Sequence, residues 1–132
     1  MIWEPEFFQP LKFTPRQLAN YLSSAKRDLT IASQTKVPEV IFQFSYNALI
    51  KYGLYLIAGH GHRVRSAVGH HIKTIEKMAE ITKNEEILLV GNQMRKSRNA
   101  GFYEGEELIT EADARHYLTF VEKVIGKGDR LI

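Results

Sequence analysis

The residues best equipped for chemistry fall in two short stretches. One is the run Met94 to Tyr103, MRKSRNAGFY, which carries Arg95, Arg98, Asn99 and Tyr103; the other is the turn Gly69-His70-His71. A guanidinium stays charged at any physiological pH, and its planar fork grips phosphate oxygens two at a time. An imidazole exchanges its proton near about pH 6.5, where general acid and base work is done. A phenol, near about 10, donates a hydrogen bond far more readily than it accepts a proton. These groups suit the binding of a phosphate-bearing molecule and the movement of protons beside it. Each also has a plainer role. Arginine at a helix C-terminus is favoured by the helix dipole, histidine beside glycine often caps or turns a chain, and asparagine can bridge helix ends through its amide.

The elements that must position these residues read as helices. Thr14-Pro15-Arg16-Gln17 has the form of a capping box with proline in the first turn, and Leu18, Leu22, Ala25, Leu29 and Ala32 recur behind it at helical spacing. This predicts a first helix over 15–33. Pro38 opens a second helix that runs to about Gly59. Glu39, Gln43, Asn47 and Lys51 form one narrow polar stripe on it, and the rest is almost entirely apolar or aromatic. A helix so apolar around its circumference belongs in the centre of a bundle, or is also covered by a partner. Its charged and amide stripe argues against a membrane span. A third helix starts near His70 with Ile72, Ile75 and Ala79 inward, and Thr82 or Asn84 caps a fourth that holds Ile87, Val90 and Met94. Gly101 and Gly105 bracket its end. Thr110-Glu111-Ala112-Asp113 begins a fifth, which continues through Leu118, Val121 and Ile125 to a natural stop at Gly126.

No segment alternates like a strand over more than a few residues. The fold class predicted is therefore all-α, an up-and-down bundle of four to five helices with short connections. It occupies residues 14–126, with an N-terminal arm at 1–13 and a short tail at 127–132. The arm carries Trp3, Phe7, Phe8 and Phe13 between Pro5 and Pro10, a proline spacing that opposes a helix. Its aromatics are expected to pack on the bundle or on a second subunit. Residues 59–69, GHGHRVRSAVG, read as a basic, glycine-rich loop.

Short connections make consecutive helices antiparallel, so the start of the third helix and the end of the fourth share one end of the bundle. The third helix spans roughly 20 Å at about 1.5 Å per residue. An equal climb along the fourth from Asn84 arrives between Met94 and Arg98. His70 and His71 should then lie beside Arg95 and Arg98, with Arg63, Arg65 and Lys51 in the neighbourhood. The net charge of +3 is too small to demand an anionic partner. Its concentration at one end is the more telling feature.

Composition sets outer limits. With 132 residues, 44% of them hydrophobic and 25% charged, the chain fits one globular domain with a real core. The absence of cysteine excludes disulfides and thiolate metal sites. The start of the chain is acidic and broken by proline, unlike a signal peptide, so a cytoplasmic location is expected. A metal held by His60, His62, His70 and His71 is a minor reading, because no carboxylate or cysteine joins them at a recognised spacing.

The run Arg98-Asn99-Ala100-Gly101-Phe102-Tyr103 resembles the signature helix end of the HEPN superfamily, the higher eukaryote and prokaryote nucleotide-binding domains. Ser45-Tyr46-Asn47-Ala48-Leu49, the loop His60 to Ser66 and Gly69-His70-His71 also resemble one bacterial and archaeal branch. The likeness covers roughly residues 15–125. It implies a helical bundle that forms a homodimer and binds RNA or a nucleotide. Many members are metal-independent RNA-cleaving toxins paired with a nucleotidyltransferase-type antitoxin, and others are non-catalytic binding modules. Arg98 and Asn99 match the first two positions of the family motif. The motif histidine has no counterpart, since Tyr103 stands at the nearest position and no histidine occurs between 98 and 115.

Metal-free RNA cleavage needs a base, an acid and positive charge on the phosphorane. The resemblance supplies Arg98 and Asn99, with Tyr103 at the histidine position, and the expected closeness of His71 to Arg98 adds His71. A catalytic set of Arg98, Tyr103 and His71 is therefore expected. The same bundle end places Arg95, His70, Arg63 and Arg65 with Arg98 and Asn99 for binding RNA or nucleotide. No metal and no other cofactor is implied. Tyr103 is also a candidate acceptor for nucleotidylation. The alternatives from other classes are a non-catalytic partner of a nucleotidyltransferase, and a purely structural homodimer joined by the apolar second helix and the aromatic arm.

Overall fold

A computed structural model describes residues 1–100 and 109–130 of the chain. Five helices carry the fold: α1 (Pro15–Gln34), α2 (Pro38–Gly59), α3 (His70–Thr82), α4 (Glu85–Ala100) and α5 (Glu111–Arg130). The capping box at Thr14 forms in full, with Thr14 Oγ1 accepting from the Gln17 N–H at 3.2 Å and Gln17 Oε1 accepting from the Thr14 N–H at 2.8 Å. Asn84 rather than Thr82 caps α4, its Oδ1 accepting from the Glu86 N–H at 3.1 Å. Thr110 caps α5 through the Asp113 N–H, also at 3.1 Å.

The nearly all-apolar α2 is central, packed against α1, α3 and α5, while α3 and α4 pair with each other. Ile41, Phe42, Tyr46, Leu49, Tyr52 and Ile57 of α2 are completely buried, joined by Ile75 and Met78 of α3, Ile87 and Met94 of α4 and Val121 of α5. The polar stripe of α2 is engaged too. Gln43 Nε2 donates to Asn47 Oδ1 at 2.9 Å, and Lys51 Nζ lies 2.7 Å from the buried carboxylate of Asp28 on α1. No helix among the described residues is long and apolar enough to cross a membrane.

Glycine sets the spacing between helices at two points. A Cβ on Gly53 would stand 2.8 Å from Thr74 Cγ2, and one on Gly91 would stand 3.0 Å from Ile75 Cγ2. Both contacts fall on α3, whose side chains press against the bare backbone of α2 on one side and of α4 on the other.

Two expectations are corrected. The arm is extended, as its prolines imply, but it and the loop before α3 form a strand pair that an all-α reading did not include: Phe8–Pro10 (β1) and His62–Val64 (β2) pair antiparallel, Phe8 opposite Val64 and Pro10 opposite His62. Strands this short are too brief to show an alternating pattern, and Pro10 at the strand end is compatible with an edge. Their pairing is anchored from outside the ribbon. Phe8 is buried, and the Trp3 indole stacks on the His62 ring with centroids 4.1 Å apart. Lys77 Nζ lies 4.6 Å from the Trp3 ring centroid and donates to the Ile2 carbonyl. The aromatics of the arm thus dock on the bundle. The second correction concerns α5, which passes through Gly126 and runs to Arg130. One glycine in a helix interior costs about 1 kcal/mol relative to alanine, too little by itself to stop a helix whose preceding turns, through Leu118, Val121, Val124 and Ile125, are packed in the core.

Candidate phosphate-binding site

Three helices converge on the site. Tyr46 comes from the middle of α2, His70 and His71 from the first turn of α3, and Arg95 and Arg98 from the last turns of α4. Gly69 makes the approach possible. Its φ of +82° lies in the left-handed region that side chains avoid, and it turns the chain directly into α3. His70 Nδ1 is 2.9 Å from the Ala67 carbonyl, so the His70 ring closes this turn.

The centre is a contact between α2 and α3. The Tyr46 hydroxyl is 2.8 Å from His71 Nδ1, and the Arg98 guanidinium lies over the Tyr46 ring, 5.5 Å from its centroid. The His70 and His71 rings meet edge to face with centroids 4.4 Å apart. A cation over a phenol ring is attracted by the ring's negative face, by roughly 0.5–1 kcal/mol when exposed and more when desolvated. Tyr46 therefore holds His71 through its hydroxyl and Arg98 through its ring. Within α4, Arg95 Nε donates to Asn92 Oδ1 at 3.3 Å.

The electrostatics follow from burial beside cations. Burial, reinforced by His70, Arg98 and Arg95, pushes the His71 imidazole down to about 4. Burial also pushes the Tyr46 phenol up to about 12, against the opposing pull of Arg98 and Arg95. Near neutral pH the pair is an uncharged phenol on an uncharged imidazole, with the Arg98 guanidinium over the phenol and Arg95 close enough to act on both groups. Among the described residues neither Arg95 nor Arg98 has a carboxylate within ion-pair distance, although the arginines and lysines elsewhere that are ion-paired include Arg27, Lys51, Lys73, Lys77 and Arg115. Among the described residues, positive charge is held here without a carboxylate counter-ion.

The expected site residues are distributed as follows. His70, His71, Arg95 and Arg98 come together, and Asn99 is exposed on the same final turn of α4. Tyr103 lies outside the described residues. Arg63 and Arg65 stand on and beside β2, where Arg65 is committed to the arm: its Nε donates to the Pro5 carbonyl at 2.9 Å and its backbone N–H to the Phe7 carbonyl at 2.7 Å. Lys51 is committed to Asp28 and is not a free cation of the site. His60 and His62 serve the ribbon, with His60 Nδ1 at 2.9 Å from the Leu56 carbonyl and His62 Nδ1 at 3.0 Å from the His60 carbonyl. No group of three or more histidines and carboxylates among the described residues is placed to hold a metal ion.

Tyr46 is the residue of the candidate site to which sequence reasoning assigned no role. The signal was present but shared. A phenol on the apolar side of a central helix needs a buried partner for its hydroxyl, and Tyr52 on the same helix has the same property. Only the register of α2 against α3 separates them. Comparison of the chain with family models, with curated proteins and with solved structures found no match.

Proposed function

We propose that this protein is a HEPN-like helical module that binds the phosphate of an RNA or a nucleotide at the α3/α4 end of its bundle. The observation that carries the reading is the Arg98 guanidinium, poised over the Tyr46 ring and beside His71 with no carboxylate partner among the described residues. A guanidinium so placed can offer two parallel N–H donors to phosphate oxygens. Arg95 adds charge from the preceding turn, and Asn99 adds an amide at the helix end.

The family resemblance adds a homodimer and a nucleotidyltransferase-type partner to this reading, and it keeps metal-independent RNA cleavage as the enzymatic form of the same site. The direct test is a titration with a short RNA, a nucleoside monophosphate and inorganic phosphate at two salt concentrations. Saturable, salt-sensitive binding that Arg98→Ala removes is the expected result. Equal behaviour of wild type and Arg98→Ala toward all three would end the proposal. Growth arrest on expression that Arg98→Ala relieves, with RNA cleavage by the purified protein, would select the toxin form.

A further inference from the structure

We infer that the two adjacent histidines are held in opposite tautomers, His70 keeping an unshared electron pair on Nε2 and His71 keeping a hydrogen there, with Tyr46 as the residue that imposes the difference. The assignment rests on hydrogen bonding, and its functional meaning rests on the phosphate-binding reading above.

His70 Nδ1 is 2.9 Å from the Ala67 carbonyl. A carbonyl oxygen only accepts, so His70 Nδ1 must carry the hydrogen. When that ring is neutral its lone pair is left on Nε2. His71 Nδ1 instead faces the Tyr46 hydroxyl at 2.8 Å. A hydroxyl can donate or accept, but Tyr46 is wholly buried and His71 is the only described hydrogen-bond partner of its oxygen. If His71 Nδ1 donated, the phenolic hydrogen would be buried with no acceptor, at a cost of about 1–3 kcal/mol. The favoured arrangement has Tyr46 donating and His71 Nδ1 accepting, which places the His71 hydrogen on Nε2.

The charged and titratable groups around His71 act in the same direction. His70 faces it from its own helix, Arg95 and Arg98 from α4, and Tyr46 from α2. The three basic groups disfavour a second proton on the ring. Such a proton, placed on Nδ1, would also turn the Tyr46 hydroxyl away from its acceptor.

The consequence is a division of labour. His71 Nε2–H and the Arg98 guanidinium are both donors, matched to phosphate oxygens. His70 Nε2 is the acceptor of the doublet, the one suited to take a hydrogen bond or a proton from a hydroxyl of the ligand. His71 is thus a phosphate donor and not the base of the site, and Tyr46 is a positioning residue that acts through it.

Two-bond proton–nitrogen NMR spectra of protein labelled with nitrogen-15 in histidine separate the two tautomers directly. The expected result near neutral pH is an Nε2–H pattern for His71 and an Nδ1–H pattern for His70. In Tyr46→Phe the His71 pattern should move toward a mixture while that of His70 stays put. The same tautomer on both rings in the wild-type protein, or a His71 pattern indifferent to Tyr46→Phe, would overturn the inference. A second arm uses inorganic phosphate. A glutamine amide can place an N–H near the position of Nε2, so His71→Gln should retain phosphate affinity within about threefold and His71→Ala should lose about tenfold, the worth of one charge-assisted hydrogen bond. Split tautomers without phosphate binding would remove the proposed function and leave the tautomer assignment standing. Phosphate binding with identical tautomers would do the reverse.

Discussion

Replacing Lys51 with methionine separates the cations that hold the fold from those that serve the site. Lys51 Nζ lies 2.7 Å from Asp28 Oδ2, and the Asp28 side chain is 1% exposed while that of Lys51 is 34% exposed. The other cation nearby, Arg27, is 3.7 Å from Asp28 Oδ1 with a side chain 70% exposed, too far into solvent to take over. Removing one partner of a buried pair strands the other charge, at about 3–5 kcal/mol. Water reaches part of the Lys51 side chain, so the low end, about 3 kcal/mol, is expected. With an unfolding entropy of about 2.1 cal/mol/K per residue, a chain of 132 residues should melt roughly 10 °C lower. Circular dichroism melts and urea titrations read the loss. Asp28→Leu combined with Lys51→Met should recover most of it, because no charge is then left buried. Phosphate affinity of the folded variant should match that of wild type. A loss under about 1 kcal/mol for Lys51→Met would show that Asp28 does not depend on Lys51, and the reasoning would fail.

Other outcomes follow from the site and the arm. Arg98→Ala should weaken binding of a phosphate-bearing ligand by roughly 10- to 100-fold, the worth of hydrogen bonds to a charged group, and should make the logarithmic salt dependence shallower by about one. His71 bears on acid stability. Its folded-state value of about 4 lies below the ordinary value, so the unfolded chain takes up the proton first as pH falls. The contribution is fully present above about pH 6.5 and is lost on descent toward 4; with the ring half-buried, the swing is about 1–2 kcal/mol relative to His71→Gln, read from urea midpoints at the two pH values. Trp3→Ala removes the stack on His62 and the cation–π contact with Lys77, and should cost about 2 kcal/mol by thermal melt. Trp3 is the sole tryptophan, so its fluorescence in the wild type reports whether the arm is docked.

Most of the helical frame was legible in the sequence, because its signals are local. Thr14, Pro38, Asn84 and Thr110 mark helix starts through chemistry that acts within one turn. The juxtaposition of His71 with Arg98 was also legible, since antiparallel helices joined by short turns bring known ends together. What escaped depended on rotation about helix axes. Lys51 looked like a member of the basic cluster because it stands near that end of α2, yet its azimuth aims it at Asp28 on α1. Tyr46 looked like core, and is core, but its hydroxyl meets His71 only in this register. The ribbon escaped for a different reason: pairing between Phe8 and Val64 is non-local, and neither strand is long enough to announce itself.

That ribbon shapes the order in which the molecule can assemble. Its first strand comes near the start of the chain and has no partner until α1, α2 and the residues after them exist and have folded back. Closing so long a loop carries an entropic cost that local helices do not meet. The turn that presents His70 follows β2 directly, and Arg65 within it is tied to Pro5 and Phe7 of the arm. Residues made before α1 are thus among the last to find their contacts, and the candidate site acquires its final shape only when they do.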